Sequence, residues 1–139
     1  MAVEVSVVTP EGRAFEGSAE SIVLPGAEGE FGVLSGHEVF LTALQAGALR
    51  IAKPGGETLH AAISRGFAEV HGDSVAVMVG SCEFAHEIDL DRARIARDRA
   101  QRQLEEMRAT AEGEEAYQQY QEDYSRALAR IAASEQSEK

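Results

Sequence analysis

The spacing of apolar residues changes near Ser81, and this change constrains the fold more than any other feature of the sequence. Before it, from Val3 to about Val79, apolar residues recur at every second position, as at Val3, Val5 and Val7. A period of two is typical of half-buried β-strands. After it, the steps are of three and four residues, which indicates one face of a helix. The sequence therefore predicts a β part followed by an α part.

Turn-forming residues divide the β part into short segments. Pro and Gly cluster at residues 9–12 and 53–56, and a Gly-Asp pair follows at residues 72–73. Roughly nine or ten short strands at this spacing predict an N-terminal β-sandwich or flattened barrel over residues 1–86. Residues 53–57 are expected to form an exposed hairpin tip.

The helical spacing begins at Ile88 and continues to about Ala111. Asp89 and Asp91 stand at its start, where a carboxylate caps free N–H groups. A break at residues 112–113 lets the chain reverse, so we predict a C-terminal antiparallel two-helix hairpin over residues 87–139. The first apolar stripe contains Ala93, Ala96, Ala100, Leu104, Met107 and Ala111, and the second contains Tyr117, Tyr120, Tyr124, Ala127 or Leu128, and Ile131.

Both helical stripes are narrow and rich in alanine. We therefore expect the helices to be held less firmly than the sandwich core, so that a partner surface competes for the same face. Residues 134–139 are all polar or charged and are expected to fray.

Composition excludes several classes of protein. The net charge of −11 argues against a nucleic-acid partner and against an anionic membrane surface. The sequence contains neither an apolar run long enough for a membrane span nor a signal peptide, so we expect the cytosol or the cytosolic side of a membrane. The single cysteine, Cys82, allows no internal disulfide, and we interpret it as a buried or idle thiol.

The sequence shows no assembled catalytic centre. Its four histidines lack ligand-like spacing, which predicts no metal site. Glu28 and Glu30 lie in a glycine-rich stretch, residues 26–37, and could form an acid pair, but no neighbouring residue in the sequence completes a catalytic site with them. This stretch lacks the Gly-Lys-Ser/Thr of a phosphate loop and is interpreted as a long connection between strands.

Arginines crowd the predicted helices. The first helix alone holds Arg92, Arg94, Arg97, Arg99, Arg102 and Arg108. One interpretation is a solvated face on which arginines alternate with acids. In the other, Arg92 and Arg99, two turns apart, and Arg126 and Arg130, one turn apart, surround a polyphosphate, since guanidinium groups suit that ligand.

Three segments carry a family resemblance. Residues 7–12, residues 29–37 and residues 41–51, in this order and spacing, resemble the epsilon subunit of the bacterial F-type ATP synthase, equivalent to the mitochondrial delta subunit. The resemblance covers residues 5–131, and residues 29–37 are its most specific part. Ser35 and Val39 stand where the family commonly has prolines, which predicts a less rigid loop here.

The resemblance implies a non-catalytic subunit of the central stalk that couples the gamma subunit to the c-ring. Glu30 would face the loops of the c-ring, and His37 the gamma subunit. The helical hairpin resembles a regulatory arm that extends toward the alpha and beta subunits and inhibits ATP hydrolysis. The implied location is peripheral, at the cytoplasmic face of a bacterial membrane, with the stromal side of a plastid thylakoid left open.

The same resemblance implies ATP as a regulatory ligand, with no cofactor required. Residues 88–93 match the Ile/Leu-Asp-x-x-Arg-Ala pattern of epsilon subunits that bind ATP. By this match, Ile88 packs on adenine, and Asp89 and Glu83 accept hydrogen bonds from adenine or ribose. The phosphates would be held by four arginines. The full candidate site contains Glu83, Ile88, Asp89, Arg92, Ala93, Arg99, Arg126 and Arg130.

Two other hypotheses remain open from the sequence. The first is a free-standing interaction or scaffold module whose helical hairpin recruits a partner helix. The second is a small acid–base enzyme that uses the residues between Glu28 and His37. Co-purification with gamma and the c-ring separates the first from a stalk subunit, and turnover by Glu30→Gln and His37→Ala variants tests the second.

Overall fold

The computed structural model describes residues 2–110 and 114–137, and the side chains of all of these except residues 37, 107–110 and 114–115. Ten strands are followed by a short 3-10 helix at Ala85–Glu87 and two α-helices. The strands are β1 Val3–Thr9, β2 Gly12–Ala19, β3 Ser21–Gly26, β4 Gly29–Leu34, β5 His37–Leu44, β6 Gly47–Ala52, β7 Thr58–Ile63, β8 Gly66–Gly72, β9 Ser74–Val79 and β10 Cys82–Phe84, and the helices are α1 Leu90–Thr110 and α2 Glu114–Ser137.

The ten strands form one sheet that folds over its own core. Their order is β10-β7-β6-β3-β5-β8-β9-β1-β2, and β4 pairs with β3 outside this path. A single buried cluster takes side chains from β1 through β9, which requires the two ends of the sheet to face each other. The predicted sandwich of about ten strands is confirmed.

The alternation of buried and exposed residues along the strands shows where the core lies. Val3, Val5 and Val7 are fully buried on β1, which runs parallel to β9 with Val5 opposite Val75 and Val7 opposite Val77. Because successive side chains of a strand point to opposite faces, the residues between these valines face outward. The buried side chains of β1 therefore lie on one face, as its sequence predicts, and Val8 is the one apolar residue on the outward face.

The glycine-rich stretch is more regular than predicted. Residues Gly29–Leu34 form β4, which pairs antiparallel with β3 along its whole length. The prediction of a simple connection was wrong here because alternation continues through the glycines. Val33 is buried in the core, while its neighbour Leu34 faces solvent on the other side of the strand.

The two helices pack against each other as an antiparallel hairpin. Asp89 caps α1, since its Oδ1 accepts a hydrogen bond from the Arg92 N–H at 3.2 Å. Near the far end of α2, Glu135 contacts Arg94 of the first turn of α1 at 3.3 Å. The predicted hairpin is confirmed, and of the alternatives for the second stripe Ala127 is buried and Leu128 is exposed. The predicted break lies outside the described residues.

A second face of α2 rests on the sandwich. Ala129 and Ala133 are buried against Ala48 of β6 and Ala62 of β7, and we call these four residues the alanine seat. The prediction of a frayed tail was wrong for residues 134–137, because α2 continues to Ser137 and Ser134 is buried. Residues 138–139 lie outside the described residues. Small side chains let a helix approach a sheet closely, and the seat therefore positions the whole hairpin.

Candidate functional site

Three of the predicted arginines meet in a cleft between the helices. Arg99 of α1 lies across from Arg126 and Arg130 of α2, and the cleft has a volume of about 220 Å³. We call it the arginine cleft. Its lining is completed by Ala96, Ala100, Gln103, Asp123 and Ala127. The antiparallel pairing of α1 and α2 brings these side chains together from positions about thirty residues apart.

Arg130 is engaged by another predicted site residue, Glu83 of β10. Its Nη2 donates a hydrogen bond to Glu83 Oε2 at 3.3 Å, and its Nε lies 3.0 Å from Oε1. The Nε contact is an ion-pair distance only, because its buried N–H is not aligned with any acceptor. The pair is shielded, with 23% of the Arg130 side chain and 38% of the Glu83 side chain exposed. It links α2 to β10 beside the cleft.

The remaining predicted residues lie at the start of α1. Arg92 lies 3.6 Å from Asp89 and is 83% exposed, so it is free to reorient. It shares a helix face with Ala96 and Arg99, one and two turns further on. Ile88 instead packs against the alanine seat, and Ala93 is fully buried. The structure therefore brings the arginines to one face and turns Ile88 away from it.

The cleft is suited to a small anion group. Its volume is below the roughly 300–1,000 Å³ of pockets that enclose a whole small molecule. Asp123, which accepts a hydrogen bond from Gln119 at 3.1 Å, adds one carboxylate among the guanidinium groups. Sequence reasoning missed Gln103 and Asp123, although both lie four residues or fewer from a predicted arginine. The cleft can hold phosphate groups, with the rest of a larger ligand outside it.

Three polar contacts hold the predicted partner-binding loop. Arg50 Nη2 lies 3.1 Å from Glu30 Oε1. The Ser35 hydroxyl and the Gly36 N–H both donate to Asp73 Oδ1, at 2.8 and 3.1 Å. Ser35 thus restrains the loop by hydrogen bonding. The side chain of His37 lies outside those that the structure describes.

The sandwich carries an exposed apolar stripe, which sequence reasoning missed. It crosses three neighbouring strands through direct pairs: Val8 of β1 lies beside Met78 of β9, and Met78 beside Phe67 of β8. On β5 the direct partner of Phe67 is Ala43, and Leu41, two residues before it, lies opposite Glu69. Leu41 and Val39 of β5 continue it, and the five side chains are 37–66% exposed. The sequence could have revealed the stripe, because the alternation of core and outward positions along these strands places each of its residues on the outward face. Contiguous exposed apolar surface of this kind marks an interaction site.

Other chemistry is sparse in the part of the chain that the structure describes. Burial, together with Glu87 and Glu83, raises the pKa of the Cys82 thiol to about 11, so it is protonated at neutral pH. Within residues 2–110 and 114–137, no three His, Cys, Asp or Glu side chains are grouped so as to hold a metal. Neither described helix is long and apolar enough to cross a membrane.

Comparisons with known proteins all point to one family. Residues 2–85 match a family described as ATP synthase, Delta/Epsilon chain, beta-sandwich domain. The chain is 40% identical to the ATP synthase epsilon chain of Nitratidesulfovibrio vulgaris over 129 residues, which cover 93% of this chain and 92% of that one. It is 39% identical to the ATP synthase epsilon chain of Syntrophobacter fumaroxidans over 136 residues, 97% of each.

A solved structure shares the fold. A chain of the Euglena gracilis mitochondrial ATP synthase, in an assembly of OSCP, F1 and the c-ring, aligns with a TM-score of 0.81 at 23% identity. The alignment covers 95% of this chain and 81% of that one, so it includes both the strands and the helices.

Proposed function

The chain belongs to the ATP synthase delta/epsilon family, and we propose from this that it is a subunit of the central stalk that joins the gamma subunit to the c-ring. It is a non-catalytic subunit. The observation that carries the proposal is 40% identity to an ATP synthase epsilon chain over 93% of the sequence. In the assembly it would lie peripherally at the cytoplasmic face of a bacterial membrane.

We assign docking to the sandwich, residues 1–86. The apolar stripe supports this assignment, because it lies on β1, β9, β8 and β5, whereas the arm rests on β6 and β7. The stripe is therefore open to the gamma subunit while the arm is seated. Glu30, on β4, would face the c-ring loops, and His37, at the start of β5, would face gamma.

Substitution in the stripe tests docking. Phe67→Asp should weaken binding of the full chain to the gamma subunit and c-ring by about tenfold or more, because it places a charge at the centre of an apolar contact. Ile95→Asp is the matched control, since Ile95 is equally exposed but lies on α1. Equal loss of binding in the two variants would show that the stripe is not the docking surface. Recovery of neither gamma nor the c-ring with the wild-type chain would favour a free-standing scaffold module.

We assign regulation to the helical arm, residues 87–139. In this proposal the arm leaves the sandwich and extends toward the alpha and beta subunits, where it inhibits ATP hydrolysis. The narrow alanine seat supports the proposal, since a small apolar contact allows two arrangements of similar free energy. Measurement of ATP hydrolysis by the complex with and without residues 87–139 tests it, and unchanged inhibition would contradict it.

ATP is the proposed ligand of the arm. Arg99, Arg126 and Arg130 would hold its phosphates in the arginine cleft, and Arg92 would reach them along the same helix face. The base and ribose would lie outside the cleft toward Asp89 and Glu83, whereas Ile88, packed against the alanine seat, and the fully buried Ala93 would not contact them in the seated arm. Because such a ligand touches both helices, it would favour the seated hairpin by its differential affinity.

Calorimetric titration of the full chain with ATP, with and without magnesium, tests this site. Arg126→Ala and Arg92→Ala should each weaken binding by about tenfold, as expected when one charge-assisted contact is lost. Arg13→Ala is the control, since Arg13 pairs with Glu16 on the sandwich, away from the cleft. No binding of the wild-type chain at millimolar ATP would contradict the proposal and leave the docking role intact.

A further inference from the structure

One carboxylate, Asp123, lies among the guanidinium groups of the arginine cleft. It is on α2 with Arg126 and Arg130, and Arg99 of α1 completes the positive lining. Because the cleft has a volume of only about 220 Å³, a phosphate group inside it would lie close to every lining side chain, Asp123 included. Asp123 would therefore repel the anion that the three arginines attract.

The cleft keeps its opposite charges apart. Asp123 and Arg126 are three residues apart on α2, a spacing at which opposite charges commonly pair. Oδ1 of Asp123 instead accepts a hydrogen bond from Nε2 of Gln119 at 3.1 Å. Within residues 2–110 and 114–137, Asp123, Arg126 and Arg99 form no ion pair. Oδ2 of Asp123 and these two guanidinium groups are therefore available to a ligand.

We propose that Asp123 determines which form of a polyphosphate the cleft favours: it disfavours the free anion and accepts a magnesium ion that the ligand carries. The inference rests on the proposed ATP site. Magnesium sites commonly combine one or two protein carboxylates with phosphate oxygens of the ligand and retained waters. The divalent ion also lowers the negative charge of the ligand, and thereby its repulsion from Asp123. Both effects shift the cleft toward the magnesium complex.

The surrounding charges make the cleft sensitive to this one carboxylate. Arg130 is already engaged, since its Nε lies 3.0 Å from Oε1 of Glu83. Glu122, the residue before Asp123, contacts Arg65 of the sandwich at 2.9 Å and does not line the cleft. Among the described side chains, Asp123 is thus the one carboxylate of the lining, and two of the three arginines beside it are unpaired. Removal of its charge would change a large part of the net charge that a ligand meets.

For the helical arm, this carboxylate adds a contact across the two helices. A magnesium ion between Asp123 and a phosphate held by Arg99 would join α2 to α1 through the ligand. The free anion lacks this contact and is repelled by Asp123. The magnesium complex is therefore the form that favours the helix pair of the seated arm more strongly.

Calorimetric titration of the full chain with ATP, in excess magnesium and in EDTA, gives the ratio of the two dissociation constants. Asp123→Asn removes the charge but keeps the shape of the side chain and an oxygen that accepts from Gln119. This variant should tighten binding of free ATP by about tenfold relative to binding of the magnesium complex. Inorganic tripolyphosphate, which lacks the base and ribose, should show the same shift because the effect arises in the cleft.

Two controls separate this role from a structural one. Asp98→Asn is the matched change, since Asp98 precedes Arg99 but contacts Arg97 at 3.0 Å and does not line the cleft. Gln119→Ala removes the hydrogen bond to Asp123 and keeps its charge. Both controls should leave the ratio of dissociation constants unchanged.

Three results would overturn the inference and leave the ATP site intact. They are an unchanged ratio in Asp123→Asn, an equal shift in either control, and a shift with ATP that tripolyphosphate does not show. If the wild-type chain bound neither ligand, with or without magnesium, the proposed ATP site would itself be wrong, and this inference would fall with it.

Discussion

Ala133→Leu should lift the arm from the sandwich. Ala133 is fully buried in the alanine seat, between α2 and the outer face of β6 and β7. The four methyl groups of the seat stabilise docking by about 3 kcal/mol, at about 0.8 kcal/mol for each buried carbon. Three added carbons in such a contact cost about 1–3 kcal/mol. This cost is comparable to the docking free energy that the seat provides. The fraction of molecules with α2 released from the sandwich should therefore rise by about 5- to 150-fold.

Amide hydrogen exchange measures this effect. Exchange in residues 127–137 of α2 should accelerate by at least about fivefold in Ala133→Leu, while exchange in β1 and β9 stays unchanged because the sandwich core is not touched. Ser125→Leu is the control, since it adds similar bulk at an exposed position of the same helix. Unchanged exchange in Ala133→Leu, or equal acceleration in Ser125→Leu, would refute the role of the seat.

Three further predictions concern single positions. Gly66→Ala should lower the free energy of unfolding in urea by about 1–3 kcal/mol. The added Cβ would collide with the Met78 carbonyl oxygen and lie 2.8 Å from Val79 Cα. Gly32→Ala is the control and should change the free energy of unfolding little, because the nearest atom to its Cβ is 3.9 Å away. Asp89→Ala should cost about 0.5–2 kcal/mol in thermal unfolding through loss of the α1 cap, and an effect no larger than that of Asp91→Ala would contradict this role. Cys82, with its pKa raised to about 11 from 9.0, should react with a disulfide reagent at pH 8 about tenfold more slowly than an ordinary thiol, because the smaller thiolate fraction is partly offset by the higher nucleophilicity of a more basic thiolate. A normal rate would contradict its burial.

The periodicities of the sequence were sufficient to predict the architecture. Alternation identified β1, β6 and β9, and steps of three and four identified both helices and their antiparallel pairing. These features depend on local spacing, which a single sequence displays directly. The arginine cleft was partly predictable for the same reason, because Arg126 and Arg130 lie one turn apart and antiparallel helices bring them opposite Arg99.

The contacts between distant elements were not predictable in this way. Ala129 and Ala133 form a second apolar face of α2, but alanines on a helix do not reveal which strand they meet. The Glu83–Arg130 pair joins residues 47 apart in sequence, and either residue alone resembles an ordinary surface charge. The polar tail from Ser134 was misjudged because its stability comes from packing against the sandwich and not from its own composition.

Rebinding of the full chain to an ATP synthase complex from which this subunit has been removed tests the central claim most directly. The account predicts stoichiometric, saturable binding that requires the gamma subunit and the c-ring, that Phe67→Asp weakens, and that restores the hydrolysis rate of the complete complex. Absence of saturable binding, or binding that persists without both gamma and the c-ring, would contradict it.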